Sequence, residues 1–359
     1  MADWLTTGLE IAGIRLQVAT SYAPWDRYVK AHFAPVLANG LPAAQTREAD
    51  IVVRVEWQDQ PWRAKAMRAE ESDRFPDRLG GSIVRSEREG CWVQKLRGSQ
   101  RLGLIASWEG GRLRIEGAYR RKALKERARA WLGGSETQRF FELTYPLIYY
   151  PLWFYLEATA GWHVLHASAV SRSSGAIIFA GLEGVGKTTL ALALAGEGST
   201  LLADNLIWYN EQQVMGVPEP IRLHDPSGPL LERVRLRPLP IGTTQKGFFA
   251  LEGDSMGAAR PRAVLLPVFG RVTDIEPLEA EACADRMLAT SPLTGELGPY
   301  VPFAAWMSLV RPVPGLETVR RQRLVALLRG CRCGILRMRR GEGAATIRRV
   351  LDWAKERAG

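Results

Sequence analysis

The stretch GAIIFAGLEGVGKTTLALALAGEGSTLLADN, residues 175–205, constrains the fold more than any other part of the chain. An apolar run leads into three glycines, and a Leu- and Ala-rich segment of high helical propensity follows at once. The spacing Gly181-Leu182-Glu183-Gly184-Val185-Gly186-Lys187-Thr188 fits G-x-x-x-x-G-K-[ST] between a strand and a helix. Glycines at these positions let the backbone turn its N–H groups inward toward phosphate oxygens. The helix that follows presents its positive end to the same anion. Lys187 is expected to reach the β- and γ-phosphates, and the Thr188 hydroxyl to ligate Mg²⁺. The expected nucleotide contacts are Gly181, Glu183, Gly184, Val185, Gly186, Lys187, Thr188 and Thr189. Gly198 stands where a helix terminator belongs.

STLLADNLIWY reads as the next strand, so strand, loop, helix and strand form a βαβ unit and favour a mostly parallel or mixed sheet in an α/β fold. Asp204 ends its first half, where an acid of a P-loop protein approaches Mg²⁺ or the attacking group; a turn aspartate is the bland alternative. Before the loop, WHVLHASAV carries His163 and His166, and a strand histidine is more often a core residue than a site residue. Downstream, AVLLPVF and CGILRMR read as strands. EPLEAEACADRML, ETVRRQRLVALLRG and GAATIRRVLDWAKER read as helices, the last with Ile347, Val350, Leu351 and Ala354 on one stripe. The Pro- and Gly-rich stretch 216–247 reads as a long irregular excursion near the site.

The first third reads differently. GIRLQV, DIVVRVEW, GSIVRSE, CWVQKLR, LGLIASW and RLRIEGAY are short strand-like runs, with one helix around PWDRYVKAHFAPVLA. RRKALKERARAWLGG closes this part, which gives a β-rich accessory domain, 1–134, and a nucleotide-binding domain, 135–359. A helical, aromatic-rich segment at roughly 136–160 opens the second part. Its apolar run LTYPLIYYPLWFYL is too short and too proline-interrupted to span a bilayer. The opening residues MADWLTTGLE lack the basic and apolar regions of a secretory signal, so the expected location is cytoplasmic, without membrane association. Four cysteines, Cys91, Cys283, Cys331 and Cys333, make no disulfide framework in a chain of 359 residues. The formal charge of +10 favours acidic partners. The basic segments lack interleaved aromatics, which argues against nucleic acid and leaves room for an acidic peptide.

HASAV followed by GAIIFAGLEGVGKTTLALALAGEGSTLLADN resembles the catalytic core of the HPr kinase/phosphorylase superfamily. The resemblance continues loosely through PRAVLLPVFGRVTDIEPLEAEACADRML and the closing strand and helix. With a β-rich N-terminal part, the layout is closer to the smaller HPr-kinase-related proteins found beside natural-product genes, some of which phosphorylate a serine of a ribosomal peptide. The resemblance implies an HPr-kinase-like P-loop core, ATP as nucleotide and Mg²⁺ as cofactor. It implies His166 as an active-site residue, Gly181 to Thr188 as the nucleotide loop and Thr188 as a Mg²⁺ ligand; from the P-loop reading, Lys187 and Asp204 are the expected catalytic residues, with Asp204 also at the metal. The family carries Asp-Asp where this chain has Asp204-Asn205, and the second acid accepts the proton of the substrate hydroxyl. A neutral amide cannot do that. Asp204, Glu183, Glu219 or Asp225 supplies the base, or transfer is lost. Glu219, Glu232 and Arg271 are the candidates for the family's later metal glutamate and arginine signature.

Two functions are therefore expected as alternatives. One is an ATP- and Mg²⁺-dependent kinase acting on a hydroxyl, such as a serine of a peptide. The other is a catalytically weak nucleotide-binding scaffold that recognises a peptide for a partner biosynthetic enzyme, which Asn205 favours. A GTPase reading of D-x-x-G at 225–228 lacks any N-K-x-D guanine signature. Homo-oligomerisation stays open.

Overall fold

A computed structural model describes residues 4–37, 48–58, 81–85, 89–96, 100–120, 136–173, 175–224, 232–242, 246–251 and 257–355. The charged segment RRKALKERARAWLGG from 121, with the expected boundary after 134, lies outside the described residues, as does Asp225. The chain divides into two compact units. One comprises Met1–Ala160, Pro240–Gln245 and Tyr300–Val313, and the other Gly161–Leu239, Lys246–Pro299 and Pro314–Gly359.

The first unit carries β1 (Leu5–Ile11), β2 (Ile14–Thr20), β3 (Ile51–Gln58), β4 (Gly81–Arg85), β5 (Glu89–Leu96), β6 (Gln100–Glu109) and β7 (Arg112–Arg120). These form one sheet in the order β1-β2-β3-β7-β6-β5-β4. The β2–β3 and β3–β7 pairs are parallel, and the others antiparallel. The β1 strand, LTTGLEI, was not expected; its Thr-Thr-Gly run weakens the alternation that betrays the other strands. Leu9, Ile11, Leu16, Val18, Val53, Val55, Leu113 and Ile115 are buried, at alternating positions within each strand.

In the same unit α1 (Ala23–His32), α2 (Glu136–Thr144), a π-helical turn (Tyr145–Tyr149), α3 (Tyr150–Thr159) and the helix Tyr300–Val310 supply an aromatic core. The expected helical segment at 136–160 is thus present. Its rings pack edge to face and tilted: Trp153 lies 5.7 Å from Tyr149 and 5.2 Å from Tyr300, centroid to centroid. His32 bridges Tyr28 Oη at 3.1 Å and Tyr149 Oη at 2.8 Å, so both buried ring nitrogens are hydrogen-bonded. None of the described helices is long and apolar enough to cross a membrane.

The second unit is a mixed α/β layer structure. Its strands are β8 (His163–Arg172), β9 (Gly175–Ala180), β10 (Thr200–Ala203), β11 (Leu206–Tyr209), β12 (Val214–Gly216), β13 (Ile221–Leu223), β14 (Leu236–Gly242, in this unit as far as Leu239), β15 (Gly247–Leu251), β16 (Pro261–Phe269), β17 (Asp274–Leu278) and β18 (Arg332–Met338). Its helices are α4 (Lys187–Gly196), α5 (Ala280–Thr290), α6 (Leu316–Leu328) and α7 (Gly343–Lys355). The main sheet runs β12-β11-β8-β9-β16-β18-β17, with β10 also on β8. Ile177 and Phe179 of β9 join a core with α4 and α7, while Ile178 and Ala180 join one with α5 and α6. Alternation along β9 therefore puts apolar residues on both faces, as a central strand requires.

Three expectations are corrected here, and one is narrowed. Of the mostly parallel or mixed sheet expected, the sheet is the mixed kind: β9, β16 and β18 are parallel neighbours, but β8 runs antiparallel between β9 and β10. STLLADNLIWY is two strands, broken at Asp204-Asn205. Residues 216–247 are not wholly irregular, because β13, β14 and β15 form a small sheet in the order β13-β15-β14. Glu276–Leu278 belong to β17 and not to a helix; Pro277 is tolerated there because β17 is an edge strand.

Trp153 is completely buried, so Trp153→Ala should lower the stability of the first unit by about 3–5 kcal/mol. Urea unfolding measures this as a fall in the transition midpoint; an unchanged midpoint would contradict the aromatic core described here.

Candidate functional site

The strand β9 ends at Ala180, and residues 181–186 turn directly into α4. Gly181, Gly184 and Gly186 have φ of 128°, 76° and 91°. Added Cβ atoms at Gly181 and Gly184 would meet nothing within 4 Å, so backbone conformation rather than space demands glycine there. Gly186 is also the N-cap of α4, without a side-chain cap. The N–H groups of the first helical turn are left to an incoming acceptor. At the other end Gly198, with φ 85°, closes the helix as expected, and Ser199 N donates to Leu194 O at 3.1 Å.

Lys187 is buried and folds back onto the loop. Its Nζ donates to Gly181 O at 3.0 Å and Leu182 O at 2.7 Å. Burial lowers its pKa to about 8, against the opposing pull of Glu183, Asp204 and Glu296. An anion placed at the loop would offer the ammonium the charge partner it lacks at full strength here.

The break at Asp204-Asn205 is held by β8 through two contacts. The Ser168 hydroxyl donates to the Asp204 carbonyl, and Ala167 N donates to Asn205 O at 3.0 Å. Because the strand is interrupted at this point, the Asp204 side chain lines the cavity beside the loop. Burial raises its pKa, opposed by a hydrogen bond from the Thr188 hydroxyl and by Arg222. Its Oδ1 is buried without a hydrogen-bond partner among the described residues.

His166 sits on β8 opposite Leu206 and is 5% exposed. Neither ring nitrogen has a hydrogen-bond partner among the described residues. Burial, then Lys187, lowers its pKa to about 4, so the imidazole is neutral at physiological pH. His163 is different: it is buried with its ring 5.5 Å from that of Tyr209 and does not line the cavity.

These groups surround a cavity of roughly 370 Å³ lined by His166, Glu183, Gly184, Lys187, Thr188, Asp204, Asn205, Arg222, Lys246 and Glu296. Gly181, Val185, Gly186 and Thr189 belong to the same loop and first helical turn but do not line this cavity. Arg222, Lys246 and Glu296 were not anticipated as site residues. The first two come from β13 and from just before β15, inside the 216–247 stretch expected near the site. Glu296 lies in the turn after the 3₁₀ helix Ser291–Leu293 and carries no local signal. Arg222 donates to Glu296 at 2.8 Å with both side chains mostly buried. Burial alone would raise the Glu296 pKa, but the guanidinium outweighs it and holds the carboxyl below its usual range.

Of the other candidates, Glu219 accepts a hydrogen bond from Asn205 Nδ2 at 3.0 Å, one residue away from the cavity lining. Glu232 is exposed in a helical turn at 232–234 and Arg271 lines a separate groove. No group of three or more His, Cys, Asp or Glu side chains forms a metal cage among the described residues. A hydroxyl and a carboxylate completed by phosphate oxygens need no such cage, and Thr188 with the unpartnered Asp204 Oδ1 is a donor set of that kind. A larger cavity of roughly 470 Å³ on the first unit is lined by paired charges, Arg15 with Glu10 and Arg112 with Glu48, and holds no comparable cluster of buried unpartnered groups.

His166 generates a pH dependence whose sign is fixed. The ordinary value is 6.5 and the folded value about 4, so only the unfolded chain gains a proton between them. The contribution is intact above 6.5 and is lost as pH falls toward 4. His166→Gln should flatten that slope of stability, read as urea midpoints across the window; an unchanged slope would contradict the buried neutral imidazole. No protein-family model matches the chain, and no curated protein matches it.

Proposed function

We propose that the second unit is an HPr-kinase-like P-loop domain that binds ATP with Mg²⁺ and transfers the γ-phosphoryl group to a hydroxyl. The observation that carries this reading is the convergence, at one glycine loop, of buried Lys187, Thr188 and the unpartnered Asp204 Oδ1. The glycine turn, the uncapped start of α4 and Lys187 suit a polyphosphate. Thr188 and Asp204 would hold Mg²⁺, which when bound neutralises charge on the phosphates.

In this reading the substrate hydroxyl enters beside Asp204. Its oxygen bonds to the γ-phosphorus as the bond from that phosphorus to the β–γ bridging oxygen breaks, and ADP leaves. The hydroxyl proton passes to the Asp204 carboxylate, which lines the cavity. Lys187 follows the charge on the transferring group. Neutral His166 can accept or donate a hydrogen bond without adding charge, and the paired Arg222 and Glu296 line the same cavity. A serine of a peptide is the proposed acceptor, and the cytoplasm the proposed location.

A second reading rests on Asn205. Its amide is bonded to Glu219 where a proton-accepting carboxylate is expected, so the unit binds ATP and serves as a scaffold for peptide recognition by a partner enzyme.

Incubation with γ-labelled ATP, Mg²⁺ and serine-containing peptides separates the two. The kinase reading expects label on the peptide, and a loss of about a hundredfold or more in both Lys187→Ala and Asp204→Asn. Transfer undiminished in Lys187→Ala would overturn it. ATP binding without transfer in the natural chain, with transfer gained in Asn205→Asp, would establish the scaffold instead.

A further inference from the structure

Beside the glycine loop lies a second open groove, roughly 780 Å³, lined by Phe269, Gly270, Arg271, Arg339 and Arg340. It lies where β16 and β18 end. These strands run parallel to β9, and Phe269 pairs with Met338, so all three leave the sheet on the edge where the loop begins. Gly270 N donates to Met338 O at 2.9 Å, which holds the two exits side by side. Met338 Cε would lie 3.7 Å from a Cβ at Gly186, so the end of β18 reaches the loop itself.

The groove is built rather than incidental. Thr273 donates to Glu342 at 2.7 Å, and Arg339 N donates to Thr273 Oγ1 at 3.2 Å, which ties the two exit loops together. Phe269 is 51% exposed and is the one aromatic ring among the large exposed hydrophobic side chains described. The Arg340 guanidinium lies 4.9 Å from its ring centroid. An exposed ring with a guanidinium beside it is the surface on which a planar base stacks.

Sheet order fixes the direction in which a ligand would lie. Asp204 and His166 stand on the β8 side of β9, whereas β16 and β18 stand on the other. A triphosphate with its γ end at Asp204 and its chain across the start of α4 would place its nucleoside over the ends of β16 and β18. Ligands of open α/β sheets occupy this crevice outside the carboxyl ends of the strands.

We propose that Phe269 and Arg340 form the nucleoside subsite, the purine base stacking on the exposed Phe269 ring that the Arg340 guanidinium flanks, with Arg271 adding positive charge along the approach. This rests on the reading that residues 181–188 hold a triphosphate. The base is recognised by stacking, so the subsite acts on nucleotides and is indifferent to a polyphosphate without a base.

Equilibrium dialysis of the full chain with labelled ATP and with inorganic tripolyphosphate, each with Mg²⁺, tests it. Phe269→Ala should weaken ATP binding roughly tenfold, within the usual range for losing one stacking partner. Tripolyphosphate binding should stay unchanged in Phe269→Ala, and Phe269→Trp should retain ATP affinity. Unaltered ATP affinity in Phe269→Ala, or an equal loss for both ligands, would overturn the subsite while leaving the phosphate loop in place. Binding of neither ligand by the natural chain would overturn the triphosphate reading, and the subsite with it.

Discussion

The second unit depends on one sharp reversal of the backbone, from the end of β9 into α4 through three glycines at positive φ. That turn leaves the first helical N–H groups uncapped and places Lys187 in a buried position where its ammonium donates to two loop carbonyls. Carbonyl oxygens satisfy hydrogen bonds but carry no full charge, and burial accordingly depresses the lysine pKa. The loop thus brings a buried ammonium and uncapped helical N–H groups together in one place. The strand β9 that leads into it is buried on both faces, through Ile177 and Phe179 on one and Ile178 and Ala180 on the other.

The second constraint is the antiparallel strand β8. By running between β9 and β10 it takes the helix-following strand one place further from the loop than a simple βαβ unit would. The same strand carries His166, and through Ser168 and Ala167 it grips the interruption between β10 and β11. An uninterrupted strand would leave Asp204 alternating with its neighbours through the sheet. The break instead brings Asp204 to the cavity that Lys187 and Thr188 line, while the neighbouring amide of Asn205 engages Glu219. The acidic position that looks halved in sequence thus has a carboxylate close by, supplied from residue 219.

Much of this was legible because glycine and lysine spacing encodes backbone conformation directly, and because alternation marks half-buried strands. The loop, α4, its Gly198 terminator and the β16, β18 and α7 segments all follow from local pattern. Sheet direction does not: the order strand-loop-helix-strand is the same whether or not β8 inserts between. LTTGLEI and DIEPL escaped because Thr, Gly, Glu and Pro blur periodicity, and edge placement supplies what their sequences lack. Arg222, Lys246 and Glu296 reach the cavity from three separate segments, two of them in the small-sheet region and one in a turn, so no short motif announces them. His166 and His163 show the limit from the other side. They share a strand and a residue type, yet only His166 faces the cavity.

The central claim is that the 181–188 loop holds a nucleoside triphosphate through Lys187. Titration calorimetry of the full chain with Mg²⁺ and ATP, set beside the same titration of Lys187→Ala, tests it most directly. The account predicts saturable binding by the natural chain and none by the variant at the same concentrations. No binding by the natural chain, or equal affinity in the variant, would contradict it.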